Sequence, residues 1–192
     1  MTIDNHHFCL LNGVLTPEEC QQFIKLLDVP DLHRVESTMA TYDRNIMINE
    51  EFANVIYKRI LPFLPPGTVR CNEYFRFSKY HPGQEFTKHT DGTNQDKYGN
   101  RSQYTLNIFL NKDFGGGETD FFDTSGRLAV RAVPEPGRAA LFDRGILHCG
   151  NKVTSGNKYL LRTDVMIPIP GVQQTPAEEK VFTYTAALHT PQ

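Results

Sequence analysis

The spacing of apolar residues along this chain changes near residue 69. Before it, they recur at intervals of three and four: Cys20, Phe23, Ile24 and Leu27 in one run, Phe52, Ile56, Ile60 and Phe63 in another. That is the stripe a helix needs to bury one face. Thr16, Pro17 and Glu19 supply an N-cap, a first-turn proline and a capping-box glutamate, so the pattern predicts a helix from Pro17 to about Asp28. Asn49 caps a second helix over NEEFANVIYKRILPFL, which Pro65-Pro66-Gly67 ends. A short strand is expected from Phe8 to Leu11. The intervening DLHRVESTMATYDRN is polar and aperiodic and reads as a loop.

From Val69 the period becomes 2. VRCNEYFRFSKY, RSQYTLNIFLN, GETDFFD, LAVRAVPEPG, RAALFD and KYLLRTDVMIPI are strand candidates, and HPGQ, TNQDKYGN, DFGGG, TSG and NKVTSGN between them are turn chemistry. Helices first and strands afterwards predict a mostly β, α+β chain: an antiparallel α+β fold or a double-sheet barrel, with helices backing one sheet.

Composition narrows the function. The 192 residues suit one domain with a full core, and a net charge of −2 leaves no footprint for nucleic acid or an acidic membrane. No leader-like segment and no run of ~18 apolar residues occurs, so a cytoplasmic protein is expected. Cys9, Cys20, Cys71 and Cys149 are far apart with no CxxC, and read as reduced, packed thiols.

Chemistry enters with FTKHTDG. His89 and Asp91 are two apart, and in a strand such residues share a face about 7 Å apart. His148, between an apolar strand and a glycine turn, would complete two imidazoles and a carboxylate, the set that holds iron(II) on one face and leaves the other open. Lys158, ten residues on, is placed to hold the far carboxylate of a keto acid. His6, His7, His33, His81 and His189 have no partner at ligand spacing and read as surface or turn residues. The glycines at 115–117 precede no G-K-[ST], and read as a hairpin rather than a phosphate loop.

YHPGQEFTKHTDG, YTLNIFLNKDFGGGETDFF and VPEPGRAALFDRGILHCGNKVTSGNKYLLRTD, in that order, resemble the catalytic domain of 2-oxoglutarate- and Fe(II)-dependent dioxygenases in the prolyl 4-hydroxylase branch, over roughly residues 70–168. The resemblance implies a double-stranded β-helix, or jelly roll, with iron ligands His89, Asp91 and His148, and Lys158 paired with the C5 carboxylate of 2-oxoglutarate. It implies helical support over 1–68, a catalytic core over 69–170 and a tail over 171–192. It also implies Fe(II), 2-oxoglutarate and dioxygen as reaction partners, with ascorbate as a candidate reductant. The expected reaction is hydroxylation of a C–H bond of a prolyl residue in a peptide or protein, releasing succinate and CO2. The alternatives are a free amino acid or other small carboxylate substrate, a non-catalytic sensor that keeps the site, and a metal-dependent cupin isomerase or hydrolase, which has no use for Lys158.

Alternation extends the site. If Tyr80 faces inward like its family equivalent, Ser78, Arg76 and Tyr74 share its face, and Lys158 shares one with Arg162. Tyr80 and Tyr74 are therefore expected near the cofactor. Arg76 and Arg162 are expected near substrate, with Arg162 alternatively holding Asp91. Two departures stand out: Phe109 occupies a position where relatives carry a tyrosine bonded to 2-oxoglutarate, and Arg101 is one residue out of the register of an arginine frequent in peptide hydroxylases, with Ser102 in its place. The segments Arg34 to Asn45 and Thr93 to Asn100 are candidate lids.

Overall fold

The computed structural model describes residues 1–27 and 32–171; the rest of the expected tail, with His189, and the predicted end of the first helix at Asp28 lie outside the described residues. Two strands open the chain, β1 (Thr2–Ile3) and β2 (His6–Leu11). Helix α1 (Pro17–Lys25) follows, with the Thr16 hydroxyl accepting from the Glu19 amide and the Glu19 carboxylate accepting from the Thr16 amide, the capping box its sequence encodes. The helix stops at Lys25 because Leu26 caps it and Leu27 turns inward to full burial.

The stretch read as a loop forms a hairpin instead, β3 (His33–Glu36) and β4 (Thr41–Ile48). Its sequence lacks alternation because β3 is the sheet's edge, exposed along most of its length. Helix α2 (Glu50–Ile60), capped by Asn49, passes at Pro62 into a 3-10 turn (Leu61–Phe63), since a proline cannot donate the next i to i−4 bond. Phe63, expected on the buried stripe, is 48% exposed because that tighter turn rotates it off the face of Ile56 and Ile60.

The remaining strands are β5 (Arg70–Cys71), β6 (Tyr74–Tyr80), β7 (Phe86–His89), β8 (Arg101–Phe109), β9 (Phe114–Gly116), β10 (Thr119–Phe122), β11 (Leu128–Ala132), β12 (Ala139–Asp143), β13 (His148–Gly150), β14 (Val153–Gly156) and β15 (Lys158–Ile167). A large sheet runs β1-β2-β12-β8-β15-β6-β4-β3, with β5 alongside β15; a smaller one runs β11-β10-β13-β7, and β14 pairs with β9. Every strand pairing among the described residues is antiparallel. Two facing antiparallel sheets are the jelly roll. Residues 1–68 are thus not purely helical support: β1 to β4 belong to the large sheet.

Period 2 divides the large sheet into a helix side and an inner side. Phe75, Phe77, Leu106, Ile108, Leu161 and Val165 join Cys20, Ile56 and Ile60 of the helices, and Leu27 just past α1, in one core. The alternate residues turn toward the small sheet, where Phe8, Phe109, Phe121, Phe142 and Leu160 form a second. Each fully buried phenylalanine contributes about 1.5–3 kcal/mol of transfer free energy. The apolar packing fills only one end of the space between sheets; the other end holds polar residues. The four cysteines are free thiols, and burial raises Cys20, Cys71 and Cys149 above the ordinary range, as reduced packing residues require. No helix among the described residues is long and apolar enough to cross a membrane.

Candidate metal centre

The two histidines meet across a strand pair. His148 on β13 stands directly opposite His89 on β7, and the register shifts between that pair and Gly150 opposite Phe86. This bulge leaves an extra residue on β7 and re-aims His89 toward its partner. Phe86 stacks on the His89 ring at 3.7 Å between centroids, and Phe142 meets His148 edge-on at 4.7 Å. Asp91 lies two residues past the end of β7, its amide donating to the Arg144 carbonyl at 2.9 Å. The carboxylate turns back so that its oxygens lie 3.7 Å from His89 Nε2 and 3.8 Å from His148 Nε2.

The donor atoms fit a divalent ion. His89 Nδ1 lies 2.7 Å from the Thr87 carbonyl and His148 Nδ1 2.9 Å from the Ile146 carbonyl. Each Nδ1 therefore carries the proton, and each Nε2 presents a lone pair to the space beside Asp91. One ligand atom from each residue can be chosen with all three within 4.8 Å of one another. Burial lowers both imidazoles below their ordinary pKa, His148 to about 4, so both are neutral at pH 7. Burial alone would raise Asp91, but Arg162, His148 and Thr105 outweigh it and hold the carboxyl below the usual range. Thr105 Oγ1 donates to Asp91 Oδ2 at 2.6 Å, and Arg162 Nη1 reaches Asp91 Oδ1 at 2.8 Å. Two neutral nitrogens, one anionic oxygen and no fourth protein ligand among the described residues suit iron(II) with open positions.

These residues line one wall of a cavity of about 450 Å³. The large sheet forms the other wall, where Lys158, Tyr80, Arg76 and Arg162 all face the space. Lys158 is 2% exposed, and no carboxylate lies within ion-pair distance of it among the described residues. Its Nζ sits 5.3 Å from the Tyr80 ring and 5.8 Å from the Phe109 ring. Burial lowers its pKa to about 8. A buried cation without an ion-pair partner is costly unless an anion joins it. Glycine at 117 makes room for it: a Cβ there would lie 3.2 Å from Lys158 Cδ and 2.8 Å from the Phe114 ring.

The other expected residues separate. Tyr80 lines the cavity at 5% exposure with its ring 5.3 Å from Lys158 Nζ, and so brings a phenol to this end, where Phe109 has none to offer. Tyr74 does not line the cavity: it shares the face but sits at the far end of β6, beneath the Arg76 guanidinium at 5.0 Å. Arg76 is spent on Asp164 at 3.2 Å, and Arg162 on Asp91. Neither candidate lid is free. The tip of the β3–β4 hairpin is tied to β7 by Thr87 N–H to the Met39 carbonyl, 2.8 Å, and the turn after Thr93 is folded around Asp96 and bound through Lys97 and Tyr98 to Glu50. The sequence reading missed Tyr42 and Arg44 of β4, which line the cavity; nothing local in a polar, aperiodic stretch marked them. His81 is a turn residue as expected, held between Asp43 at 2.8 Å and Asn157 at 3.0 Å.

A family model of the 2OG-Fe(II) oxygenase superfamily matches residues 75–163. No curated protein matches the chain in sequence. Among solved structures, the chain is similar to the viral collagen prolyl hydroxylase of Paramecium Bursaria Chlorella virus-1 in its 2OG complex: TM-score 0.64, 23% identity, 87% of this chain and 99% of that one. A Pseudomonas putida prolyl-4-hydroxylase gives 0.66, 15%, 86% and 95%. The non-heme alpha ketoglutarate dependent epimerase SnoN from nogalamycin biosynthesis gives 0.63, 14%, 92% and 90%. At such identities the likeness carries the fold, and the fold serves more than one reaction.

Proposed function

We propose, from the premise that residues 75–163 of this chain form an oxygenase domain of the 2OG-Fe(II) superfamily, that the protein hydroxylates a C–H bond of a prolyl residue in a peptide or protein. 2-Oxoglutarate and dioxygen are consumed, and succinate and CO2 are released. One observation carries the reading: the His89–Asp91–His148 cluster and the buried, acid-free Lys158 face the same cavity from opposite walls. The prolyl assignment draws support from prolyl hydroxylases among the structural neighbours.

His89 and His148 would hold the iron through Nε2 and Asp91 through one oxygen, while Thr105 and Arg162 keep the carboxylate oriented. When bound, iron(II) supplies the coupling of keto-acid decarboxylation to C–H hydroxylation. Lys158 binds the distal carboxylate of 2-oxoglutarate, and the Tyr80 hydroxyl lines the same end of the pocket. Phe109, Phe121 and Phe142 close the inner end to water.

Anaerobic titration with Fe(II) and then 2-oxoglutarate tests this. The weak visible charge-transfer band of a bidentate keto acid on iron is expected in the wild type and absent from His148→Ala. A folded wild-type protein that binds Fe(II) but never develops the band would overturn the reading.

A further inference from the structure

The cavity wall made by the large sheet is ordered in cross-strand rows. Lys158 lies opposite Tyr80, whose ring stacks on Tyr42 at 5.0 Å. The next row runs Phe109, Leu160, Ser78, Arg44, and the third Asn107, Arg162, Arg76, Ile46. Four cations thus face the cavity: Lys158, Arg162, Arg76 and Arg44.

Their charges are not equally spoken for. Arg162 is paired with Asp91 and Arg76 with Asp164. The distal carboxylate of 2-oxoglutarate answers Lys158. Arg44 has no carboxylate within ion-pair distance among the described residues. Its Nη2 donates to the Tyr42 hydroxyl, and its Nε, like that of Arg162, is buried with no hydrogen-bond partner, so the missing carboxylate is what sets Arg44 apart. The adjacent acid, Asp43, alternates to the opposite face, where Arg34 and His81 hold it. A guanidinium that lines a cavity and has no carboxylate of its own is half of a two-pronged carboxylate contact. The keto acid does not supply the other half: Arg44 and Lys158 are on strands separated by β6, which places them roughly 10 Å apart across the sheet, and the second carboxylate of 2-oxoglutarate belongs at the metal.

We infer that Arg44 is a specificity-determining residue that binds a carboxylate of the substrate, so that the molecule hydroxylated is acidic near the reacting carbon. The inference rests on the oxygenase reading of this cavity. It moves the recognition of a carboxylate away from Arg76 and Arg162, whose charges are already balanced, to a strand that the helical support was expected to lack. The carboxylate can belong to a free acid or to an acidic side chain beside a proline; Arg44 reads the same group in both.

The test uses the full chain loaded with Zn(II) and N-oxalylglycine, a non-reacting isostere of 2-oxoglutarate, with acetate as the probe followed by saturation-transfer NMR. Acetate binding to the wild type is expected, weakened about ten-fold or more in Arg44→Gln and intermediate in Arg44→Lys, which keeps the charge without the fork. N-oxalylglycine affinity should be equal in all three, and thermal melts establish that each is folded. No acetate binding in wild type that holds N-oxalylglycine, or equal acetate binding in Arg44→Gln, overturns the inference and leaves the oxygenase reading standing. Loss of N-oxalylglycine in Arg44→Gln places Arg44 in the keto-acid site and also overturns it. Failure of the wild type to bind N-oxalylglycine overturns the oxygenase reading itself. Competition against bound acetate by L-proline versus L-prolinamide, and by a doubly blocked Pro-Glu versus Pro-Gln, assigns the source; amides competing as well as acids contradict the inference.

Discussion

Lys158 shows how a single residue is held at a cost to the fold. Its pKa of about 8 lies below the ordinary 10.5 because burial penalises the charge, with Glu118 and Cys149 opposing only in part. Between those two values the unfolded chain binds more protons than the folded one, so stability rises with pH across that window and is reduced below about 8. Lys158→Met is therefore expected to stabilise the metal-free protein at pH 7 by on the order of 2 kcal/mol, while removing 2-oxoglutarate binding. Denaturant melts and a keto-acid titration on the same variant check both halves. A variant that is destabilised, or that binds 2-oxoglutarate unchanged, contradicts the assignment of the lysine as an anion anchor. The same logic separates the arginines: Arg162 and Arg76 have carboxylate partners, and of the three Arg44 alone has none among the described residues.

At the scale of elements, the β3–β4 hairpin completes the pocket. It docks by pairing β4 with β6, by the Met39 carbonyl accepting from Thr87, and by Asp43, which accepts from Arg34 at 3.0 Å and contacts His81 at 2.8 Å. Removing the carboxylate with Asp43→Ala should cost about 1–2 kcal/mol. The loss should be concentrated in the hairpin. Hydrogen exchange is expected to quicken over 33–48 and to stay unchanged in β8 and β15, whose pairing is internal to the sheet. Uniform quickening would mean that the hairpin unfolds only with the whole molecule. The two helices were legible because capping residues and a 3.6-residue period are local signals. The hairpin was not: one of its strands is an exposed edge, and the other owes its pairing to β6, some 30 residues along the chain.

For the whole molecule, the His89–Asp91–His148 cluster couples folding to acid. His148 is lowered to about 4 by burial, with Asp91 opposing, so its neutral form contributes stability that is complete above 6.5 and is lost as pH falls toward about 4. His89 shifts the same way. The metal-free protein is expected to lose thermal stability steeply across that window. Zn(II) should raise its melting temperature at pH 7, with a smaller gain near pH 5, where protons compete for both Nε2 atoms. A gain from metal that does not diminish with acid would show that it binds elsewhere.

The sequence alone determined the two capped helices, the β-rich remainder, and the ordered HxD, distal histidine and lysine, because caps, periods and ligand spacings are written within a few residues. It also determined which residues share a strand face, and so set Arg76 with Tyr80 and Lys158 with Arg162. Only the tertiary structure decided which of those side chains are available. Asp164 and Asp91 neutralise two arginines, Tyr74 falls at the wrong end of its strand, and the bulge between β7 and β13 brings His89 opposite His148. Charge balance in a cavity depends on partners brought from distant parts of the chain, and pairing across a sheet leaves no local mark on the residues it joins. Arg44 is the clearest case: its sequence neighbours made it a loop residue, and pairing of its strand with β6 turned it toward the site.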